Sequence, residues 1–271
     1  MKKHYTSFIS NGFGAFASKA FSKPLQKIIN NSYVKLMGLE MSEFKEPKEY
    51  ATLNQLFTRS LQQPREINSD EKVMISPVDA LVTDYGEIKE GKAYQIKGME
   101  YDIAELFGEH HLQASTKVNG GQFVNLYLSP KDYHRYHTPD ALKIKSLTHI
   151  PGKLYPVNFP LLRNKKNLFI ENERVIIECE DRAGHTFIMA LIGALNVGKM
   201  IITFEDAINT NSEIREPKHY TYDNLSLEKG ELFGWFEMGS TILLFSEKET
   251  FIPKVTINQK VKFADPIGTI K

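Results

Sequence analysis

The sequence predicts an α+β protein, with N-terminal amphipathic helices ahead of a largely antiparallel β sandwich or barrel-like domain. Three observations predict it. Apolar residues recur at helical spacing near the N-terminus. From Val73 onward, short apolar runs are punctuated by Gly, Pro and Asn at intervals of about ten residues. No window approaches the ~20 uninterrupted apolar residues that a membrane-crossing helix needs.

Composition narrows the class further. With 271 residues, 41% hydrophobic and 25% charged, the chain can bury a sizeable core as one large domain or two small ones. A formal net charge of +1, with no Arg-rich run and no RNA-binding signature, gives no argument for nucleic acid. The single Cys179 cannot form an internal disulfide and reads as a reducing compartment. Lys2 and Lys3 are followed by no apolar h-region or small-residue cleavage site, so no secretory signal is expected.

Residues 1–49 form the first segment. Lys2, Lys3, Lys19, Lys23, Lys27 and Lys35 precede the first acidic residue, Glu40. Phe13, Phe16, Ala20 and Phe21 fall at helical spacing, and after Pro24 the set Leu25, Ile28, Ile29 and Tyr33 repeats the pattern. Two readings follow, a pair of helices packed on the core or a basic amphipathic segment lying in a membrane interface, and the second is the expectation for residues 1–49.

Residues 50–271 form the second segment. Leu53 to Arg59 has helical character, and Gln62 to Lys72 is a polar stretch. Val73 to Ile270 reads as one β-rich domain with a helical interruption at Ile103 to Phe107. No internal repeat, low-complexity tract or dinucleotide fingerprint appears.

The stretch around which the chain is organised is Leu227 to Phe245, where two apolar, β-prone runs meet at Gly239-Ser240. A Gly-Ser pair between such runs ordinarily makes a turn. Lys229-Gly230-Glu231, Gly234, Phe236 and Gly239-Ser240-Thr241 in this order resemble the self-processing segment of the phosphatidylserine decarboxylase family, with Met238 where that family more often has Leu. Earlier blocks repeat the resemblance. They are Phe57-Thr58-Arg59, then Ser76-Pro77-Val78-Asp79-Ala80 with Ala80 for the usual Gly, and Lys97-Gly98 with Tyr101 and Leu106 to Gly108. The run Leu128-Ser129-Pro130-Lys131-Asp132-Tyr133-His134-Arg135-Tyr136-His137-Thr138-Pro139 is the most characteristic. Beyond it come Pro151-Gly152, Leu154-Tyr155, Val157-Asn158, Asn172-Glu173-Arg174-Val175, Gly193-Ala194 and Val197-Gly198. Together these blocks cover most of the chain after residue 50.

The resemblance implies autocatalytic cleavage between Gly239 and Ser240, giving a β chain of residues 1–239 and an α chain of residues 240–271. The chemistry needs a hydroxyl beside a carbonyl that the backbone can bend towards it, and Gly hinders that least. Ser240 would become a covalent pyruvoyl group, a built-in electrophile that needs neither pyridoxal phosphate nor a metal. Asp79, His137 and Ser240 would act as a triad for the cleavage, Asp79 fixing the imidazole tautomer. His134 would protonate the substrate's former α-carbon, an imidazole titrating near working pH. Tyr127 is a candidate wall of the substrate pocket.

Other readings of these residues are ordinary. His134 and His137, three apart, lack the Glu-x-x-His frame or Cys pair of a metal site. His110, His111, His149, His185 and His219 default to surface or satisfied core positions. Asn172-Glu173-Arg174 suggests a structural ion pair or turn.

The activity implied is conversion of phosphatidylserine to phosphatidylethanolamine and carbon dioxide. The partners implied are phosphatidylserine in an anionic membrane and the two cleaved chains themselves; a homodimer is left open. The location implied is the cytoplasmic face of the inner membrane, as a peripheral protein. The alternatives are a pyruvoyl decarboxylase of a soluble amino-acid derivative and a processing-defective lipid-binding protein.

Overall fold

The computed structural model describes residues 12, 14–96, 98–195, 199–212, 214–237 and 240–271, with the backbone alone at Ser240. Lys2, Lys3, Phe13, Lys97, Val197-Gly198 and Met238-Gly239 of the motifs above lie outside the described residues.

Helix α1 (Lys23–Met37) has Pro24 in its first turn, where no donor is lost, and ends at Gly38 in the left-handed region at φ 65°. Its apolar residues do not form one inward stripe. Ile29, Tyr33 and Val34 pack with Ala17, Tyr50, Leu53 and Leu56, whereas Leu25 and Ile28 are exposed, as is Leu36 at 84%. A polar seam holds the helix down instead: Gln26 Nε2 donates to Asn30 Oδ1 at 2.8 Å, and Asn30 Nδ2 donates to the carbonyls of Pro47 at 2.8 Å and Tyr50 at 2.9 Å. Helix α2 (Leu53–Phe57) starts at Thr52, whose hydroxyl accepts from Gln55 N at 3.1 Å, and buries Leu53, Leu56 and Phe57.

The β pattern begins at Val73 as expected. Strands β1 (Val73–Ile75), β2 (Ala80–Glu87), β3 (Lys92–Ile96), β4 (Met99–Asp102) and β5 (Gln122–Leu128) come first. After them run β6 (Arg135–His137), β7 (Leu142–Ile150), β8 (Arg174–Glu180), β9 (Thr186–Ile192) and β10 (Met200–Ile202). The last are β11 (Lys218–Leu227), β12 (Leu232–Phe236), β13 (Ser240–Ser246), β14 (Phe251–Pro253), β15 (Lys260–Val261) and β16 (Pro266–Ile270). All the pairings between these strands are antiparallel.

Eight strands form one sheet in the order β11-β7-β8-β9-β13-β5-β2-β15. The sheet is open, with β11 and β15 at its edges, so the sandwich expectation holds and barrel closure does not. Strand β13 lies in its interior between β9 and β5, and Ile242 to Phe245 are buried on both faces. Two three-stranded sheets, β10-β12-β6 and β1-β16-β14, complete the sandwich-like layers, and β3 pairs with β4.

Helix α3 (Ile103–Phe107) is the expected interruption. Asp102 Oδ1 accepts from Glu105 N at 2.9 Å at its start, and Phe107 packs edge-on against Phe245 at 5.1 Å. Buried Arg174 donates to the carbonyls of Glu105, Leu106, Ile170 and Asn172, closing helix ends that would otherwise leave acceptors bare. The Asn172-Glu173-Arg174 run therefore has three separate structural uses. Asn172 ties Tyr155 to Gly193, and Glu173 pairs with His149 at 2.8 Å and accepts Asn211 N. Ala80 opens β2 opposite Val261 in ordinary strand geometry, outside the left-handed region, so replacing Gly there carries no left-handed strain.

Candidate active site

Strand β5 delivers its chain to the site. Its last residue, Leu128, stands opposite Ser240, the first residue of β13, and Tyr127 stands opposite Thr241. Beyond Leu128 the chain turns sharply: Ser129 N donates to Asp132 Oδ2 at 2.7 Å and Asp132 N to Ser129 O at 2.9 Å. The turn lays down Tyr133 and His134 and leads into β6, so Ser240 and the histidine block share one end of the sheet. Half-buried Tyr127 is one residue along from Ser240 in this register, its ring 6.4 Å from that of Phe159.

The two histidines differ sharply. His134 is fully buried, with its ring 4.1 Å from that of Phe57. Its Nδ1 lies 2.8 Å from the Asp132 carbonyl, which can only accept, so Nδ1 carries the proton. Nε2 is then a bare lone pair, buried without a partner. Burial pushes the imidazole down to about 3; the Asp132 bond opposes this and the Arg59 charge adds to it. The expectation that His134 titrates near working pH is thus corrected. Its surroundings keep it neutral.

His137 has both nitrogens engaged. Nδ1 donates to Gly230 O at 2.9 Å, and Nε2 lies 3.1 Å from the Tyr133 hydroxyl, which donates to it. The ring is stacked on Phe263 at 3.6 Å. Burial pushes it down to about 4, against the Gly230 bond and with the charges of Arg135 and Arg65. Lys229-Gly230-Glu231 now has a physical reading. Gly230 sits at φ 79° against Ile67, which lets its carbonyl face His137, and Lys229 Nζ donates to the carbonyls of Asp70 and Val73. Gly234 passes so close to Ile201 O and the Tyr136 ring that a Cβ would stand 2.0 and 2.4 Å from them.

Asp79 is not bonded to His137. Its carboxylate is gripped by Arg65, Nη1 on Oδ1 and Nη2 on Oδ2, and Oδ1 also accepts Phe263 N at 2.7 Å. The Asp–His hydrogen bond expected of a triad is therefore absent among the described residues. Asp79 and His137 adjoin through Phe263, which the first holds by its amide and the second covers with its ring. Arg65 also binds Glu43 at 2.8 Å through Nε and at 3.0 Å through Nη2.

Arg65, Glu43, Tyr133, Phe263 and Phe57 were not singled out as site residues from the sequence. Arg65 sits in the polar stretch Gln62 to Lys72, and Phe57 belongs to the Phe57-Thr58-Arg59 block. Helix α2 reaches the other side of the site as well: Asn54 Nδ2 donates to Glu237 Oε1 at 3.3 Å, three residues before Ser240. Among the described residues, no group of three or more His, Cys, Asp or Glu is placed to hold a metal ion.

One end of the sheet thus gathers two buried, neutral imidazoles of unequal bonding near the first residue of an interior strand. A sequence model of the phosphatidylserine decarboxylase family matches residues 53–269, and the chain belongs to that family of decarboxylases. It is 43% identical to the phosphatidylserine decarboxylase proenzyme of Campylobacter jejuni over 94% of this chain and 96% of the relative. It is 41% identical to that of Helicobacter pylori strain J99 over 96% of each. The proenzyme of Brevibacillus brevis is 33% identical over 88% of this chain and 85% of its own length.

Proposed function

We propose that the chain is made as a proenzyme, cleaves itself between Gly239 and Ser240, and then decarboxylates phosphatidylserine to phosphatidylethanolamine. The family match across residues 53–269, which spans Asp79, His134, His137 and Ser240, carries this reading.

In the cleavage, His137 Nε2 exchanges the Tyr133 hydroxyl for the Ser240 hydroxyl and takes its proton. The oxygen bonds to the carbonyl of residue 239 and the peptide nitrogen leaves, giving an ester. Elimination across Cα–Cβ of residue 240 frees the 239 carboxylate, and hydrolysis releases ammonia and leaves the pyruvoyl group. Asp79, acting with Arg65 at its back, offsets the positive charge that forms on the imidazole. The register of β13 fits such a group, because a chain starting at residue 240 is still hydrogen-bonded to β5 and β9. Bound there, the pyruvoyl group supplies the electrophilic carbonyl and the electron sink for decarboxylation.

His134 then serves twice. The substrate amine arrives as an ammonium and must lose a proton before it can attack a carbonyl. The free Nε2 lone pair accepts that proton, and the same nitrogen returns one to the α-carbon after carbon dioxide leaves. Phe57 on one face and Arg59 behind keep the imidazole neutral until then.

The exposed Leu25, Ile28 and Leu36, beside Lys23, Lys27 and Lys35 on α1, support a peripheral seat for residues 1–49 on an anionic membrane, on the cytoplasmic face. Among the described residues, no helix is long and apolar enough to cross a membrane.

Intact mass under denaturing conditions, followed by assay on phosphatidylserine vesicles, tests the reading. Two chains meeting at residues 239 and 240, with product formed, are expected, and Ser240→Ala should give one uncut chain without activity. A single uncut species in active protein overturns it.

A further inference from the structure

Arg59 is 2% exposed, and half of its guanidinium has nothing to bind. Nη2 donates to the carbonyls of Lys131 at 2.8 Å and Asp132 at 3.3 Å, and the guanidinium lies 4.4 Å over the Phe44 ring. Nε and Nη1 are buried with no partner. The nearby carboxylates do not pair with it: Asp79 is held by Arg65, and Asp132 by the Ser129 amide. An unpaired buried cation is among the costliest groups a fold can carry.

Two further unmatched donors lie nearby. The hydroxyls of Tyr33, on α1, and Tyr50, just before α2, are both buried without a hydrogen-bond acceptor, and both lie within electrostatic reach of the guanidinium. Tyr50's oxygen rests against the Lys45 amide, which leaves its own proton unused. Three segments thus contribute N–H and O–H donors and one full positive charge, with no carboxylate paired to them. Water is a poor match for such a set, because it accepts two hydrogen bonds and brings no charge; an oxyanion matches both.

We infer that Arg59, Tyr33 and Tyr50 form an oxyanion-binding site that takes the phosphodiester of the substrate headgroup. The inference rests on the reading of the chain as acting on phosphatidylserine. Position supports it: Arg59 and His134 share the Asp132 carbonyl, so guanidinium and imidazole are one hydrogen-bonded group apart. In a serine phospholipid the reacting carbon and the phosphorus are three bonds apart, a matching interval. Chemistry excludes the other oxyanion. A guanidinium on the carboxylate would stabilise charge that must move onto the α-carbon, raising the barrier to carbon dioxide loss, whereas the phosphodiester is the same before and after reaction. Tyr33 also stands on the helix whose outer side exposes Leu25, Ile28 and Leu36.

The test uses the full-length protein, wild type and the Tyr33→Phe/Tyr50→Phe double variant, which keeps both rings, with Arg59→Lys as a second variant. Inorganic phosphate should raise the wild-type melting temperature above that in chloride of equal ionic strength, and should do so less in either variant. For short-chain phosphatidylserine the double variant should show KM about tenfold higher, with kcat within about twofold once intact mass has shown the chain cut, since hydrogen bonds to a charged group are lost. Glycerophosphoserine should compete with the lipid in wild type and less in the variants.

Phosphate stabilisation with unchanged KM would assign the site to free phosphate and overturn the headgroup assignment. No phosphate effect together with unchanged KM overturns the site while leaving decarboxylation standing. Should wild type bind phosphate through these residues but fail to decarboxylate phosphatidylserine, the site stands as an oxyanion site and the substrate reading, with the headgroup assignment, falls. A fall in kcat alone would make Arg59 a strut for residues 131–134 and overturn the binding role.

Discussion

Arg65 and Asp79 meet side-on, each of the two carboxylate oxygens taking one guanidinium nitrogen, with the side chains 12% and 15% exposed. The other edge of Arg65 holds Glu43, which Lys262 also contacts at 2.9 Å. One cation therefore bridges two carboxylates and fixes the one beside His137. Arg65→Ala leaves Asp79 without its cation and Glu43 with Lys262 alone, and a loss of about 3 kcal/mol of stability is expected together with slower self-cleavage. Adding Asp79→Asn should recover part of the stability and none of the cleavage. Urea denaturation and cleavage half-times measure the two effects, and a single variant as stable as wild type would remove the argument.

Protonation gives the second expectation. The two site histidines are pushed down in the folded state to about 3 and about 4, whereas in the unfolded chain they titrate at about 6.5. The unfolded state therefore binds more protons in between. The stability is fully present above pH about 6.5 and is lost progressively as pH falls towards those folded values. Glu43, held down to about 2 chiefly by the Arg65 hydrogen bond, contributes stability that is present above its unfolded value near 4.5 and is lost from there towards pH 2. Melting temperature should begin to fall near pH 6.5, ahead of the carboxylate range, and His134→Gln should flatten that first limb. A melting temperature constant from pH 7 to 5 contradicts the burial argument.

Ala264 carries φ 78°, a conformation that costs a residue with a Cβ about 1 kcal/mol, and it follows Phe263, the residue joining Asp79 to His137. Ala264→Gly removes the Cβ clash and leaves the turn otherwise intact. A gain of about 0.5 kcal/mol is expected after the added freedom of the unfolded chain is counted against it, read as a rise in the denaturation midpoint. A fall in the midpoint would mean that the alanine methyl is packed to advantage.

Exposed Ile28 and Leu36 lie on the outer side of α1, away from its seam with residues 47–50. Ile28→Glu with Leu36→Glu should leave self-cleavage intact and weaken sedimentation with phosphatidylserine vesicles, more visibly as salt is raised. Unchanged sedimentation would rule out α1 as the contact. Loss of cut, soluble protein would favour helices packed on the core.

Strand onset at Val73 and the helix at Ile103–Phe107 were legible because each is written in local periodicity. Asp79, His134 and His137 were legible as motif members. What separates the two histidines was not. The bond that occupies His137 Nδ1 comes from Gly230, 93 residues away, and the Arg65 that holds Asp79 is met by Glu43 and by the carbonyl of Phe263, 198 residues on. No local pattern reports such meetings. The helical spacing of Leu25, Ile28, Ile29 and Tyr33 likewise gave the period but not the facing, which the Gln26 and Asn30 amides decide by docking on residues 47–50.

Strand β13 has a partner on each side and no free edge. Before cleavage, unfolding and refolding are events of one molecule. After cleavage between residues 239 and 240, the strand belongs to a different chain from both its neighbours, and refolding becomes second order in concentration. Two samples with the same residues then differ by their past: an uncut Ser240→Ala protein should recover its fold on dilution from urea at any concentration. The processed enzyme, once its α chain has been shed, should recover slowly and less completely the more dilute it is, so that maturation trades the capacity to refold for a reactive end.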